Sequence, residues 1–320
     1  MRWRNNIIVI ILLALVYFGV AYALKHRLIS SFHQVNLYWM GINIILAVSL
    51  NLIVGFTGQL ALGHAGFMAV GAYVSAVLTL KLGQPFLLAV VAGSLASGLV
   101  GILIGLPTLR LRGDYLAIAT LGFGEIVRGL LVNIDYVGGA AGLNGIPKMT
   151  NWTWLFIFTV VTVLLIKNFI NSSHGRACIA IRENEIAADA MGINTTFYKV
   201  LAFSIGAFFA GLAGALYAHY FFLIQPQTFS FLKSFDALVM VVLGGLGSLT
   251  GSIIAASGIT ILNAALQSFG ALRMVIYAVL LVLVMIFRPQ GLLGNSEFTF
   301  QTLLRRKGGS GYYDYGKQTD

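Results

Sequence analysis

NFINSSHGRACIAIRENEIAADAMGINTTFYK, residues 168–199, is the one long polar island in the chain, and the segments on both sides of it are oily enough to cross a bilayer. It carries Arg176, Arg182, Glu183, Asn184, Glu185, Asp189 and Lys199 around a short helical pattern, so it has to lie in water. From Ala177 to Met191 the residue types favour a helix, with Ile179, Ile186, Ala187, Ala190 and Met191 offering an apolar surface beside the charged flank Arg182, Glu183 and Glu185. Gly192 supplies the stop. Such a helix suits a groove on another protein; the plainer alternative is a solvated helix lying on the bilayer surface.

Around the island, hydrophobic residues make up 58% of the chain and charged residues 9%, with 37 glycines. A soluble chain of 320 residues cannot hide that much apolar surface, whereas each helical crossing of a bilayer uses about 20 apolar residues. The apolar runs are continuous and lack the two-residue alternation of barrel strands, so the spanning elements are expected to be helices. The formal charge of +10 reads as loop bias rather than as a nucleic-acid surface. Cys178 is the single cysteine, so it has no internal disulfide partner and suits a reducing cytosol as plain filling. The first residues, Met1-Arg-Trp-Arg4 followed by an apolar run to Leu24, resemble a signal peptide and offer Ala21-Tyr22-Ala23 as a cleavage pattern. The many spans that follow favour an uncleaved first helix with Arg2 and Arg4 inside.

Hydropathy read with the positive-inside rule gives crossings near 6–24, 37–54, 67–82, 86–106, 115–134, 152–167, 200–222, 234–246, 250–268 and 272–287. The expectation is an all-α polytopic membrane protein of about 8–10 transmembrane helices with Gly-broken segments. Residues 1–294 form one transmembrane domain, and 295–320, with Gly308-Gly-Ser-Gly311, form a flexible tail. Starting inside, six crossings return the chain to the cytosol at residue 168, with Arg110 and Arg112 on the same face. Four more bring Arg288 and Arg305-Arg-Lys307 inside, so both termini are cytosolic. Lys25, Arg27 and Arg273 fall outside, against the bias.

Two glycine clusters interrupt the apolar runs. One comprises Gly55, Gly58, Gly63 and Gly66 with Gln59 and His64; the other comprises Gly244, Gly245, Gly247 and Gly251. Backbone leaves helical geometry inside a membrane only where protein or water satisfies it, so these are candidate pathway or gate residues. Close helix packing through small residues, as at Gly93 and Gly98 or Gly101 and Gly105, is the structural alternative. The crossing count gives both breaks the same sense, so no inverted repeat is read from them. Intramembrane ionisable residues are few: Glu125, Arg128, Asp236, His64 and His219. Glu125 is a pathway candidate, but it lies three residues from Arg128 on one helical face, and mutual neutralisation is the better-supported reading. Both histidines lack metal-ligand spacing and are expected to be hydrogen-bonded rather than ligating, while Asn43 and Asn51 either join helices or line a pore. The chain has no Gly-x-x-x-x-Gly-Lys-Ser/Thr loop, no Gly-x-Ser-x-Gly elbow and no His-Glu-x-x-His pair, so no catalytic residue, metal or cofactor is expected.

Several stretches together resemble a known family. They are Ser49-Leu-Asn-Leu-Ile-Val-Gly-Phe-Thr-Gly-Gln-Leu-Ala-Leu-Gly-His-Ala-Gly-Phe67, Leu111-Arg-Gly-Asp-Tyr-Leu-Ala-Ile-Ala-Thr-Leu-Gly-Phe-Gly-Glu-Ile-Val-Arg128, Gly142-Leu-Asn-Gly-Ile146, His174-Gly-Arg176 through Gly192, Phe209-Ala-Gly-Leu-Ala-Gly-Ala-Leu-Tyr217, Gly244-Gly-Leu-Gly247 and Arg288-Pro-Gln-Gly-Leu292. With these the chain resembles the permease subunits of bacterial branched-chain amino acid ABC importers, the LivM type. The resemblance implies a homologous second permease of the LivH type, two cytosolic ABC ATPase subunits and an extracytoplasmic solute-binding protein as partners. It implies a place among the lipids of the bacterial cytoplasmic membrane and no nucleic acid. It also makes the polar island the ATPase coupling loop, with Arg176, Arg182, Glu183, Asn184, Glu185, Ala187, Ala188 and Gly192 as its contact set. The family's Glu-Ala-Ala-x-x-x-Gly pattern is met at Ala187, Ala188 and Gly192, whereas Ile186 stands at its Glu position and Glu185 lies one residue earlier. The implied activity is alternating access driven by the ATPase pair, with leucine, isoleucine and valine as cargo. Urea or short amides are the second reading of cargo. A stand-alone channel or secondary carrier is the third reading of the protein.

Overall fold

Each long apolar run closes its own backbone hydrogen bonds as a helix, the form that a hydrocarbon surround requires. The computed structural model describes residues 2–269 apart from Arg110 and Arg112, together with scattered positions between 272 and 291. In chain order the helices are α1 (Arg2–Lys25), α2 (Ser31–Asn51, prolonged by a π turn over Leu52–Phe56), α3 (His64–Leu80), α4 (Phe86–Thr108), α5 (Asp114–Asn133) and α6 (Trp152–Asn171). They are followed by α7 (Ser173–Glu183), α8 (Glu185–Ala190), α9 (Thr195–Phe221), α10 (Phe231–Gly244) and α11 (Leu249–Ala265). Among the described residues, five stretches, Ser31–Phe56, Phe86–Thr108, Asp114–Asn133, Trp152–Asn171 and Thr195–Phe221, are long and apolar enough to cross a membrane. The protein is an all-α polytopic membrane protein. Most of the tenth expected crossing, the tail 295–320, and Arg110, Arg112, Arg273 and Arg288 lie outside the described residues.

Three expected crossings are shorter than a bilayer. α3 and α11 have 17 residues each and α10 has 14. At 1.5 Å per residue they reach about 25 and about 21 Å, against a hydrocarbon core of about 30 Å. The third, eighth and ninth windows of the hydropathy reading are therefore short helices, each with a glycine cluster at one end.

α9 is the central post. It packs on α3 and α4 on one side and on α2 on the other; α6, α10 and α11 gather on α2, and α5 lies along α3. The α3–α4–α9 contact is made by small residues: a methyl group at Gly71 would come within 2.2 Å of the Gly211 carbonyl oxygen, and one at Gly211 within 2.4 Å of Ser97 Cβ. Ser97 Oγ lies 2.9 Å from the Phe67 carbonyl and 2.7 Å from that of Ala207, joining the three helices where the backbones come close. The α4 pattern inverts that of a soluble helix, with Gly93, Ser94, Ser97, Gly98 and Gly101 buried while Leu95, Leu99 and Leu103 face outward. α1 is peripheral and meets the start of α6 through Tyr17 Oη and Thr153 Oγ1, 3.1 Å apart.

The end of the bundle reached by the C-termini of α3 and α9 is closed by the loop 134–151. Within it β1 (Leu143–Asn144) pairs antiparallel with β2 (Leu223–Ile224), and Thr150 Oγ1 donates to the Leu216 carbonyl at 3.0 Å. His219 is satisfied on both ring nitrogens, with Nδ1 2.8 Å from the Ala215 carbonyl and Nε2 3.0 Å from Thr79 Oγ1. A carbonyl can only accept, so the proton is assigned to Nδ1 and Thr79 donates to Nε2.

Candidate functional site

At the opposite end of the bundle the two glycine clusters meet. α2 loses its regular ladder after Asn51, and the π turn carries the chain to Gly55. Asn51 is fully buried and uses its whole amide to hold the second break: Nδ2 donates to the Ser248 carbonyl and to Ser252 Oγ, both at 2.8 Å, while Oδ1 accepts from the Gly247 N–H at 3.0 Å. Both glycines are required there. A Cβ at Gly55 would fall 1.8 Å from Asn51 Oδ1 and 2.4 Å from Gly247 N, and Gly247 adopts φ +81°, a left-handed conformation that costs other residues about 1–2 kcal/mol.

The polar island reaches the same junction. Arg182, near the C-terminus of α7, donates from Nη1 to the Gly55 carbonyl at 2.9 Å and from Nε to Glu183 Oε1 at 3.0 Å. Its aliphatic stem lies against Gly58, where an added Cβ would meet Arg182 Cγ at 3.1 Å. One guanidinium thus ties the island, the first break and, through Asn51, the second break into a single hydrogen-bonded node.

The island itself differs from the single helix expected over 177–191. It is two helices, α7 and α8, broken at Asn184, whose backbone is extended (φ −159°, ψ 106°) and whose Oδ1 accepts from the Ala187 N–H at 3.0 Å to cap α8. Asparagine's short amide competes for backbone partners, which stops α7 and starts α8 in another direction. Gly192, at φ +83°, ends α8 as expected, with Ile193 N–H closing on the Ala188 carbonyl at 3.0 Å. The break sorts the apolar residues: Ile179 packs against the core, while Ile186 and Met191 are 72% and 82% exposed. Glu185 pairs with Lys199 Nζ at 2.7 Å, pinning α8 to the first turn of α9. Arg176 extends the other way, with Nη1 3.0 Å from the Asn171 carbonyl. Cys178 is buried and filling, and burial pushes its thiol up to about 11.

The remaining expected pathway residues are distributed around this node rather than gathered in it. Gly63 and Gly66 press on α5, where an added Cβ would come within 2.0 Å of the Thr120 carbonyl oxygen and 2.9 Å of Gly124 Cα respectively. Gly244 and Gly251 close on each other, and Gly245 backs onto Gly291. Gln59 donates to the Lys199 carbonyl at 3.3 Å, and its buried Oε1 has no hydrogen-bond partner among the described residues. His64 Nε2 meets Ser49 Oγ at 2.9 Å.

The N-termini of α3 and α10 meet deeper in the bundle. Ser234 Oγ, in the first turn of α10, accepts from Ala65 N–H in the first turn of α3 at 2.9 Å. Glu125, twelfth of the 20 residues of α5, accepts from the Phe231 N–H with Oε1 at 3.2 Å and pairs with Arg128 Nε at 2.7 Å through Oε2. Glu125 is therefore an ion-paired cap on a half-helix, near the middle of α5. Ser248 and Ser252 are the junction residues that the sequence candidates missed, and Asn51, expected either to join helices or to line a pore, is what joins them. The available signal was an asparagine in an apolar run, four residues before Gly55, where polar side chains need a partner.

Residues 35–286 match the family model of the branched-chain amino acid transport system permease component. The chain is 39% identical to the high-affinity branched-chain amino acid transport system permease protein LivM of Salmonella typhimurium, over 79% of this chain and 68% of that protein. It is also 26% identical to the LivH permease protein of the corresponding system of the same organism, over 79% of this chain and 91% of LivH. Among solved structures, PsaBC from Streptococcus pneumoniae in complex with Fab aligns over 90% of this chain and 100% of its own with a TM-score of 0.47 and 18% identity.

Proposed function

Because the chain belongs to the permease component family of branched-chain amino acid transport systems, we propose that it is one of two homologous membrane halves of an importer for leucine, isoleucine and valine. Similarity to both LivM and LivH over most of the chain supports a paired arrangement in which a related permease forms the facing half. The chain has no phosphate-binding loop, so the driving force comes from two cytosolic ATPase subunits, and cargo is delivered by an extracytoplasmic binding protein.

The observation that carries this mechanism is the Arg182–Gly55–Asn51–Gly247 node. α8, with Ile186 and Met191 turned outward, is the element that an ATPase groove receives. α7 passes its displacement through Arg182 to the carbonyl of Gly55, and Asn51 passes it on to the break between α10 and α11. Two helix interruptions then move together when the ATPase pair closes, which is how a local event becomes alternating access. Arg176 and Glu183 flank the contact, Asn184 and Gly192 fix the direction and length of α8, and the Glu185–Lys199 pair keeps α8 from moving independently of α9. Cytosolic placement of the island puts the loop 134–151 outside, facing the binding protein, with both chain ends in the cytosol of a bacterial inner membrane.

The test is uptake into proteoliposomes holding both permeases, the ATPase subunits, ATP inside and loaded binding protein outside. Leucine, isoleucine and valine are expected to accumulate only when ATP and all partners are present. Accumulation without the ATPase subunits would replace this reading with a channel or secondary carrier, and uptake of urea or acetamide alone would change the cargo.

A further inference from the structure

α2, α10 and α11 enclose a lateral cleft of about 1070 Å³ on the flank of the bundle, well clear of the Arg182 node. Ligand pockets generally range over about 300–1,000 Å³, so this is room enough for a small metabolite. Its wall is unusual for a membrane protein's flank because it carries charge. Lys233 and Asp236, three residues apart on α10, both line it, and the Asp236 carboxylate is near enough to act on Lys233 electrostatically.

The depth of these charges follows from contacts already described. α10 begins beside Glu125, midway along α5, and Ser234 bonds the first turn of the equally short α3. Lys233 and Asp236 therefore lie inside the apolar layer, where ionisable groups are costly and mark substrate pathways by default. Broken helices starting at such depth are the recurring binding element of membrane transporters.

Lys233 is also oriented. Its Nζ donates to Asn43 Oδ1 at 3.0 Å and stands over the Trp39 ring, 4.5 Å from its centroid. The amide of Asn43 is fixed in turn, because Nδ2 donates to Thr260 Oγ1 at 3.0 Å and Thr260 Oγ1 donates to the Ala256 carbonyl at 2.7 Å. This chain of bonds, three residues long and drawn from three helices, presents the oxygen of Asn43 to the ammonium. An ammonium has three donors and Asn43 takes one. Apolar Phe235 and Val239 complete the same wall.

We propose that this cleft is the cargo-binding wall contributed by this half of the importer, with Lys233 holding the carboxylate and Asp236 the ammonium of a zwitterionic α-amino acid whose aliphatic side chain rests on Phe235 and Val239. The proposal rests on the amino-acid reading above and adds to it the residues that touch the cargo inside the membrane.

The experiment uses the complete reconstituted transporter with L-leucine. Lys233→Met is expected to lower leucine uptake per ATP hydrolysed at least tenfold; Lys233→Arg recovers part of the uptake. Asp236→Asn is expected to act in the same direction. A second measurement does not depend on those variants assembling. Leu232→Cys and Phe235→Cys, at cleft positions that are 61% and 43% exposed, are expected to react with a membrane-impermeant charged thiol reagent and to be protected by L-leucine. Protein in which neither cysteine reacts would assign this flank to lipid and overturn the proposal. Unaltered uptake per ATP in Lys233→Met would overturn the site and leave the amino-acid reading standing, whereas a wild-type complex that carries no amino acid would overturn both.

Discussion

Asn51 has no ionisable group and no place in a catalytic motif, yet it spends three hydrogen bonds joining two helix interruptions. Replacing it with leucine leaves the part-buried Gly247 N–H without its partner, at a cost of about 1–3 kcal/mol, while the Ser248 carbonyl keeps the Ser252 N–H at 3.1 Å. Asn51→Leu is therefore expected to lower the thermal midpoint of the detergent-solubilised protein by several degrees, and an unchanged midpoint would mean that the junction does not hold the bundle together. Arg182 is different in kind, since it joins elements that move in the proposed coupling. Arg182→Met is expected to leave membrane insertion and ATPase association intact while uptake per ATP falls at least tenfold in vesicles; full coupling in that variant would break the proposed chain at its first link. Cys178 offers a pH reading. Its ordinary value is 9.0 and burial raises it to about 11, so between those values the folded state keeps a proton that the unfolded chain has lost. Its contribution to stability is complete below pH 9 and declines as pH rises toward 11. Alkylation of Cys178 in the intact protein is accordingly expected to be slow at pH 8, where little thiolate exists, and to accelerate with rising pH; rapid labelling at pH 8 would show that the island opens.

Among the elements, the α7–α8 corner holds the main departure from the sequence pattern. Residue by residue, 177–191 is good helix, and propensity alone runs through Asn184. What turns the chain is the fixing of Arg182 against Gly55, 127 residues away, on one side and of Glu185 against Lys199, later in the chain on α9, on the other. Ile186 and Met191 are left outward as a consequence. Ile186→Asp with Met191→Asp is expected to reduce capture of the ATPase subunits at least tenfold in a pull-down from detergent without altering the amount inserted in the membrane, and undiminished capture would move the docking surface off α8. The short helices α3 and α10 were legible as glycine-bounded segments, and their incompleteness was not, because hydropathy measures oiliness and takes no account of where a neighbouring carboxylate or hydroxyl satisfies an early N–H. Glu125 on Phe231 and Ser234 on Ala65 supply those partners.

For the whole molecule, the node and the island occupy one end of the bundle, and the 134–151 loop with the β1–β2 pair occupies the other. With positive residues biased to the island, that end is expected to be cytosolic. A reporter inserted after Gly192 in an otherwise complete chain is expected to show cytosolic activity and one in the 134–151 loop extracytoplasmic activity; the reverse pattern would detach the node from any cytosolic motor.

Composition and hydropathy by themselves determined a helical membrane protein, because hydrocarbon leaves backbone polar groups no other partner, and the glycine and island motifs determined its family. What only the tertiary structure decided is which interruptions touch, where α8 turns, and that Lys233, Asn43 and Thr260 share one wall. Those outcomes depend on hydrogen bonds between residues up to 217 positions apart, such as Asn43 with Thr260, and on backbones brought close by missing side chains. Neither is encoded in any local window, since a buried polar group specifies that it must find a partner and leaves the identity of that partner to the packing of the helices around it.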